Sequence, residues 1–153
     1  MVRPAAEPDL PGFLALAAEV EHWFGPMVAD PGFTEAVTRG IARSTALVAH
    51  GASGELLGAL LFGGKAPLHK VHWLVVTQRS RGEGVGRALL ADAIHRFVRP
   101  PATVEVVTFG PDHPGAVTSG ARAFYEALGF TPAEPAAPGP EGGSRQVYRR
   151  ALP

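Results

Sequence analysis

Cysteine is absent from the 153 residues, and with it go disulfides, thiolate metal sites and cysteine nucleophiles. A chain without thiols fits a reducing compartment, so the cytoplasm is the expected location. Long apolar runs are also missing. Residues 56–62 (Leu-Leu-Gly-Ala-Leu-Leu-Phe) fall far short of the roughly 20 needed to cross a bilayer, and no basic start followed by an apolar stretch reads as a leader. The formal net charge is zero, so no bulk field favours nucleic acid or a membrane surface as partner. Lysine is scarce: Lys65 and Lys70 are the two among fourteen basic residues. The histidines show no metal-ligand spacing, and no metal is expected.

What remains is a globular composition, with 46% hydrophobic and 18% charged residues, in a length that suits one domain over 1–153. Periodicity and breakers order the chain. Residues 2–5 form a short strand. Asp9 and Pro11 open a helix over 10–23, and a second helix starts at Pro31 with Phe33, Val37 and Ile41 on one face. A hairpin joins 45–50 to 55–62, a loop follows over 63–67, and 69–77 is a strong strand. A long helix then covers 84–99, with Val85, Leu89, Ala93 and Phe97 as its stripe. Strand 103–109, a helix over 116–128 closed by Gly129, a Pro- and Gly-rich loop over 131–143 and a strand over 146–151 complete the reading. The expected fold is one α/β domain with a mixed, mostly antiparallel sheet and flanking helices.

The strongest local signal is the strand–turn–helix at 73–90, with Arg81-Gly82-Glu83-Gly84-Val85-Gly86-Arg87 at its turn. Glycines at alternate positions let backbone approach an anion without Cβ interference. Successive amides at a helix N-terminus, where the dipole favours negative charge, suit a phosphate or pyrophosphate. Arg81 and Arg87 add charge-assisted contacts. The dinucleotide pattern G-x-G-x-x-G fails, because Arg87 or Leu89 stands where its last glycine belongs. A Walker loop fails too: Gly64-Lys65 is followed by Ala66. A tight turn selected only for packing is the competing explanation.

The chain resembles the GCN5-related N-acetyltransferases (GNAT). Their R/Q-x-x-G-x-G/A element matches Arg81, Gly84 and Gly86, preceded by Leu74-Val75-Val76 and followed by Ala88-Leu89-Leu90. A second family element, A-x-x-F-Y-x-x-x-G-F, matches Ala121 to Phe130. The resemblance implies a GNAT-type sheet splayed around acetyl-CoA as co-substrate. Backbone groups of Leu74 and Val76 would hold the pantetheine arm, amides from Arg81 to Gly86 the pyrophosphate, and Thr118 stands where the family often places a pantetheine-contacting Asn. It also implies Tyr125 as the acid facing the CoA sulfur, with no metal.

Transfer to an amine requires a proton to leave the acceptor and the departing thiolate to be protonated or stabilised. A phenol near pKa ~10 stays protonated at neutral pH, which suits Tyr125. His72 has the acidity of a base, and strict strand alternation puts it on one face with Lys70, Leu74 and Val76. A histidine serves as base at the corresponding place in the arylalkylamine branch of the family. Glu105, between Val104 and Val106, is the rival, and a water the third choice. The acceptor is expected to be a small-molecule, amino-acid or peptide amine, met by Trp23, Phe24, Met27, Glu19, Glu21 and Asp30 on one side and by 131–143 on the other. The protein is expected to be a monomer or homodimer. The alternative is a catalytically idle acyl-CoA-binding sensor or partner subunit.

Overall fold

In a computed structural model, residues 1–139 and 142–153 are described, apart from the side chains of Phe24, Val117 and Thr118. Seven strands of the described residues form one open sheet in the order β1-β2-β3-β4-β5-β7-β6. They are β1 (Val2–Pro4), β2 (Ala46–His50), β3 (Leu56–Lys65), β4 (Leu68–Val76), β5 (Ala102–Phe109), β6 (Thr131–Ala136) and β7 (Arg145–Leu152). Every pairing is antiparallel except β4 with β5. That pair is joined by α3 (Val85–Phe97), as a parallel connection requires. The sheet is thus mixed and mostly antiparallel, with helices on both faces.

Alternation along β3 shows how the two faces are built. Leu60 and Phe62 enter a core with Leu89, Leu90 and Ala93 of α3, together with Val104, Val106, Tyr125 and Tyr148. Ala59 and Leu61 point the other way, toward Phe13, Leu16, Ala17 and Val20 of α1 (Leu10–Phe24) and Val37 of α2 (Pro31–Ala42). Asp30 caps α2 by accepting from Gly32 N at 3.0 Å. Helices α1 and α2 lie over β2, β3 and β4. No helix among the described residues is long and apolar enough to cross a membrane.

Three expectations change. The helix expected over 116–128 is two pieces, α4 (Gly115–Thr118) and α5 (Ala121–Ala127). Gly120 between them takes φ +70°, and Ser119 Oγ accepts from Ala121 N at 3.2 Å. The expected loop at 131–143 contains β6. Its prolines, Pro132 and Pro135, count against a strand, but β6 is an edge paired only with β7, with an irregular register between them. An edge strand can spare the missing amides. The expected loop at 63–67 shrinks to Ala66-Pro67, because β3 runs on to Lys65 opposite Leu68.

Candidate active site

The parallel pairing of β4 with β5 stops at Val71↔Val106. Beyond that rung β4 continues to Val76 while still bonded to β3, and β5 continues to Phe109 while bonded to β7. The two strands therefore part, leaving a free backbone edge along the end of β4. A cleft occupies the split. Its walls are Leu74, Val75 and Val76 from β4, Phe109 from β5, Val20 and Trp23 from α1, and Phe124 and Tyr125 from α5. Residues of both sheet faces line it, so the opening passes through the sheet.

Arg81, Gly82, Gly84, Val85, Gly86 and Arg87 close one end of the cleft. The structure separates the three glycines that spacing treats alike. Gly82 and Gly84 have φ of +80° and +85°, and a Cβ at either would meet nothing within 4 Å. Their conformation demands glycine and leaves the space above them open. Gly86 instead lies under the Phe124 ring, where a Cβ would come to 3.1 Å of two ring carbons. It serves the packing of α5 on α3. The amides differ as well. Arg81 N donates to Gln78 O and Glu83 N to Ser80 O, so both are spent within the turn. Among the described residues no acceptor faces the amides of Gly82, Gly84, Val85, Gly86 and Arg87; the first bond into α3 is Ala88 N to Gly84 O. These are the orphan donors of a helix N-terminus, an arrangement that suits an anion. Of the amides expected to form the cradle, those of Arg81 and Glu83 are already bonded, and that of Arg87 is open with the rest.

Tyr125 is buried in the α3-side core with its ring edge-on to Phe124 and Phe130. No described residue bonds to its hydroxyl, and the side chain lines the cleft. Burial raises its pKa well above the ordinary phenol value, so it stays protonated. Thr118 lies in α4, but its side chain is outside the described residues, so the contact expected of it is not addressed.

His72 is not where strict alternation puts it. The register jumps from Leu61↔Trp73 to Phe62↔Val71, which leaves His72 as the extra residue of a β-bulge. In consequence Val71 and Leu74 share the α3-side core, whereas Trp73 and Val75 pack on α1 and α2. The His72 ring lies over Gly63, two residues from Leu61 and hence on the α1–α2 face; a Cβ at Gly63 would come to 2.5 Å of Nε2. His72 therefore faces away from Leu74 and Val76, and it does not line the cleft. Partial burial, and then the charge of Lys70, push its pKa below the ordinary imidazole value.

Glu105 points to the same face, because Val104 and Val106 on either side enter the α3-side core. It is not a loose carboxylate. Arg149 Nε donates to Glu105 Oε2 at 2.9 Å, Lys70 Nζ stands 3.7 Å from Oε1, and Arg149 also grips Glu134. A row of alternating charge crosses β4, β5, β7 and β6.

The acids expected to meet the acceptor are similarly committed. Glu21 Oε2 accepts from Met27 N at 2.6 Å and Val28 N at 2.9 Å, and Asp30 caps α2. Glu19 accepts from Thr77 Oγ1 at 3.0 Å and Gln78 N at 3.0 Å, tying α1 to the point where β4 enters the glycine turn. Trp23 lies 4.9 Å under the Arg81 guanidinium and edge-on to Phe109, so it belongs to the cleft mouth. The tie made by Glu19, expected near the acceptor, has no readable sign in the sequence, and neither has the role of Arg122. Arg122 Nη1 donates to Phe109 O at 2.9 Å and Gln146 Oε1 at 2.8 Å, and its guanidinium stacks over Tyr148 at 5.1 Å. It locks the helix that carries Tyr125 to the far arm of the split. Among the described residues no cluster of three or more metal-binding side chains occurs.

A family model described as acetyltransferase (GNAT) domain matches residues 42–132, more than half of the chain. No curated protein matches the sequence at a significant level. Ribosomal-protein-alanine N-acetyltransferase from Brucella melitensis shares the fold at TM-score 0.74, with 21% identity over 99% of each chain. The PaiA N-acetyltransferase of Thermoplasma acidophilum, solved with coenzyme A, gives 0.73 at 16% identity over 99% of this chain and 98% of that one. A chain of the NatC complex bound to Gag peptide and CoA gives 0.76 at 14% identity, over 100% and 98%.

Proposed function

Because the chain belongs to the acetyltransferase (GNAT) domain family, we propose that it moves an acetyl group from acetyl-CoA to an amine by direct attack in a ternary complex. One observation carries this reading: the orphan amides at the start of α3 and the Tyr125 side chain line a single cleft through the split between β4 and β5. The residues fit the donor. Amides and the α3 dipole suit a pyrophosphate, the free edge of β4 suits an amide-bearing arm, and Leu74, Phe109 and Phe124 suit its apolar stretches.

In the reaction the acceptor nitrogen bonds to the thioester carbonyl carbon as the carbon–sulfur bond breaks. The acceptor loses one proton before attack and a second as the amide forms, and one proton ends on the thiol. A phenol is already a weaker acid than a thiol at ordinary values (~10 against ~8.5), and burial widens that gap for Tyr125. Tyr125 thus acts mainly by donating a hydrogen bond to the developing thiolate; full proton delivery to the thiolate is uphill. His72, held neutral, takes the acceptor's proton directly or through a water. Glu105, gripped by Arg149, is the weaker candidate.

The test is release of free thiol from acetyl-CoA across a broad panel of small amines, amino acids and peptides. Tyr125→Phe should lower kcat about 100-fold while leaving acetyl-CoA affinity within about threefold. Tight acetyl-CoA binding with no turnover on any acceptor would replace this reading with that of an idle acyl-CoA-binding module.

A further inference from the structure

The cleft opens on both faces of the sheet, and its two mouths are built differently. The α3 side carries the open amides of the glycine turn, with Phe124 and Tyr125. On the α1 side the lining is Val20 and Trp23 of α1, Val75 of β4 and Phe109 of β5. Of the side chains of α1 and the α1–α2 junction expected to meet the acceptor, Trp23 alone among those described lines the cleft. It is also held in place. Arg81 stands 4.9 Å over its ring, Phe109 meets it edge-on with centroids 6.5 Å apart, and the His22 ring packs at 4.3 Å. The helix beneath it is anchored by Phe13, Leu16 and Ala17 in the core. A wall fixed before its ligand arrives loses little freedom on binding.

The acceptor amine has to reach the thioester carbon beside Tyr125, so the atoms attached to that amine lie at the α1-side mouth. A hydroxyl or a second ammonium placed there gives up water and gains no partner from Val20, Val75 or Phe109. The indole N–H of Trp23 is a donor and cannot serve an ammonium. An apolar group gains instead, by about fourfold in binding for each methylene removed from water. We propose that the acceptor is a primary amine borne on an aromatic or branched apolar body, and that Trp23 selects it. This inference rests on the acetyl-transfer reading given above.

The experiment is an acceptor comparison on the full chain, with thiol release as the readout. Phenethylamine and isoamylamine are set against ethanolamine and putrescine. The apolar pair should exceed the polar pair at least tenfold in kcat/KM. In Trp23→Ala that ratio should fall to within about threefold, mainly through the acceptor KM, and Trp23→Phe should keep most of it. Acetyl-CoA titration by calorimetry shows that each variant is folded, with the dissociation constant expected within about threefold. Ethanolamine or putrescine matching the apolar amines would overturn the proposal. So would a Trp23→Ala variant that keeps the ratio while losing acetyl-CoA affinity, since Trp23 would then serve the donor. An effect of Trp23→Ala confined to longer acyl-CoA donors would assign the wall to the acyl group and overturn it as well. Turnover on polar amines alone would sink this proposal and leave acetyl transfer standing. Silence on every amine despite acetyl-CoA binding would remove both.

Discussion

Gly84 offers the sharpest test of the anion cradle, because its backbone angle and its open surroundings make different demands. It sits at φ +85° as the N-cap of α3, with nothing within 4 Å of a Cβ. Gly84→Ala therefore creates no clash, and the whole perturbation is conformational. A left-handed alanine costs about 1–2 kcal/mol. The turn is exposed, so the free protein can escape by relaxing out of that conformation. Ligand binding must then restore it, and the cost moves into affinity. At about 1.4 kcal/mol per tenfold, acetyl-CoA should bind about 5–30-fold more weakly. Melting temperature should change by only a degree or two, since about 1 kcal/mol shifts a domain of this size ~2–4 °C. Gly54 supplies the control. It has φ +84° and equally open space, but it lies in the β2–β3 turn. Gly54→Ala carries the same conformational cost and should leave the dissociation constant within about twofold. Gly84→Asn, which tolerates the left-handed region better, should recover much of the affinity. Isothermal titration of the three variants decides the matter. Unchanged binding by Gly84→Ala, or equal weakening by Gly54→Ala, would refute the assignment of the turn to the ligand.

Further outcomes follow from the fixtures around the cleft. Glu19→Ala removes the carboxylate that holds Thr77 and Gln78. With that charge exposed, we expect about 1 kcal/mol of loosened turn, read as a fivefold rise in KM for acetyl-CoA with kcat little changed; an equal fall in kcat would place the defect elsewhere. Arg122→Ala should lower stability by about 1–3 kcal/mol, since it removes the charge-assisted bonds to Phe109 O and Gln146 Oε1. Arg122→Lys should not restore it, because an ammonium lacks the planar fork; full rescue by lysine would show that charge alone matters. For pH, the base must be neutral to act, and His72 lies below the ordinary imidazole value. The rate should therefore rise with pH below neutrality and flatten from about pH 7, and Lys70→Met should move that limb upward. A profile still climbing through pH 9 would assign the limb to the acceptor ammonium and take His72 out of this role.

Much of this architecture is legible from local pattern. The stripe Val85, Leu89, Ala93 announces α3, and the Arg81–Gly86 spacing marks the turn before it, because helix period and positive φ are properties of a few neighbouring residues. What escapes is whatever depends on partners distant in sequence. β6 is hidden by Pro132 and Pro135, which are tolerable only once β6 is known to be an edge. The commitments of Glu19, Glu21 and Glu105 are invisible too: a carboxylate's freedom depends on who reaches it, and Arg149 is 44 residues from Glu105. The division of labour between Gly84 and Gly86 requires Phe124, which arrives on a different helix.

The bulge at His72 is the costliest of these hidden features for a sequence reading, and it bears most on mechanism. Alternation places His72 beside Leu74 and Val76, which line the cleft. One extra residue in β4 turns it to the opposite face, with Lys70 and over Gly63. On the proposed reading, the thioester would lie in the split beside Tyr125 and the acceptor amine would come from the face that carries His72. If the acceptor's proton leaves on that side and the thiolate is stabilised on the other, the two proton events never share a cavity. Deleting the bulge by removing His72 would restore regular pairing between β3 and β4. Activity should then fall much further than in His72→Gln, because the register of every residue between Leu68 and Val71 slips relative to the split. Similar losses in the two variants would mean that the imidazole, and not the bulge, is what the site requires.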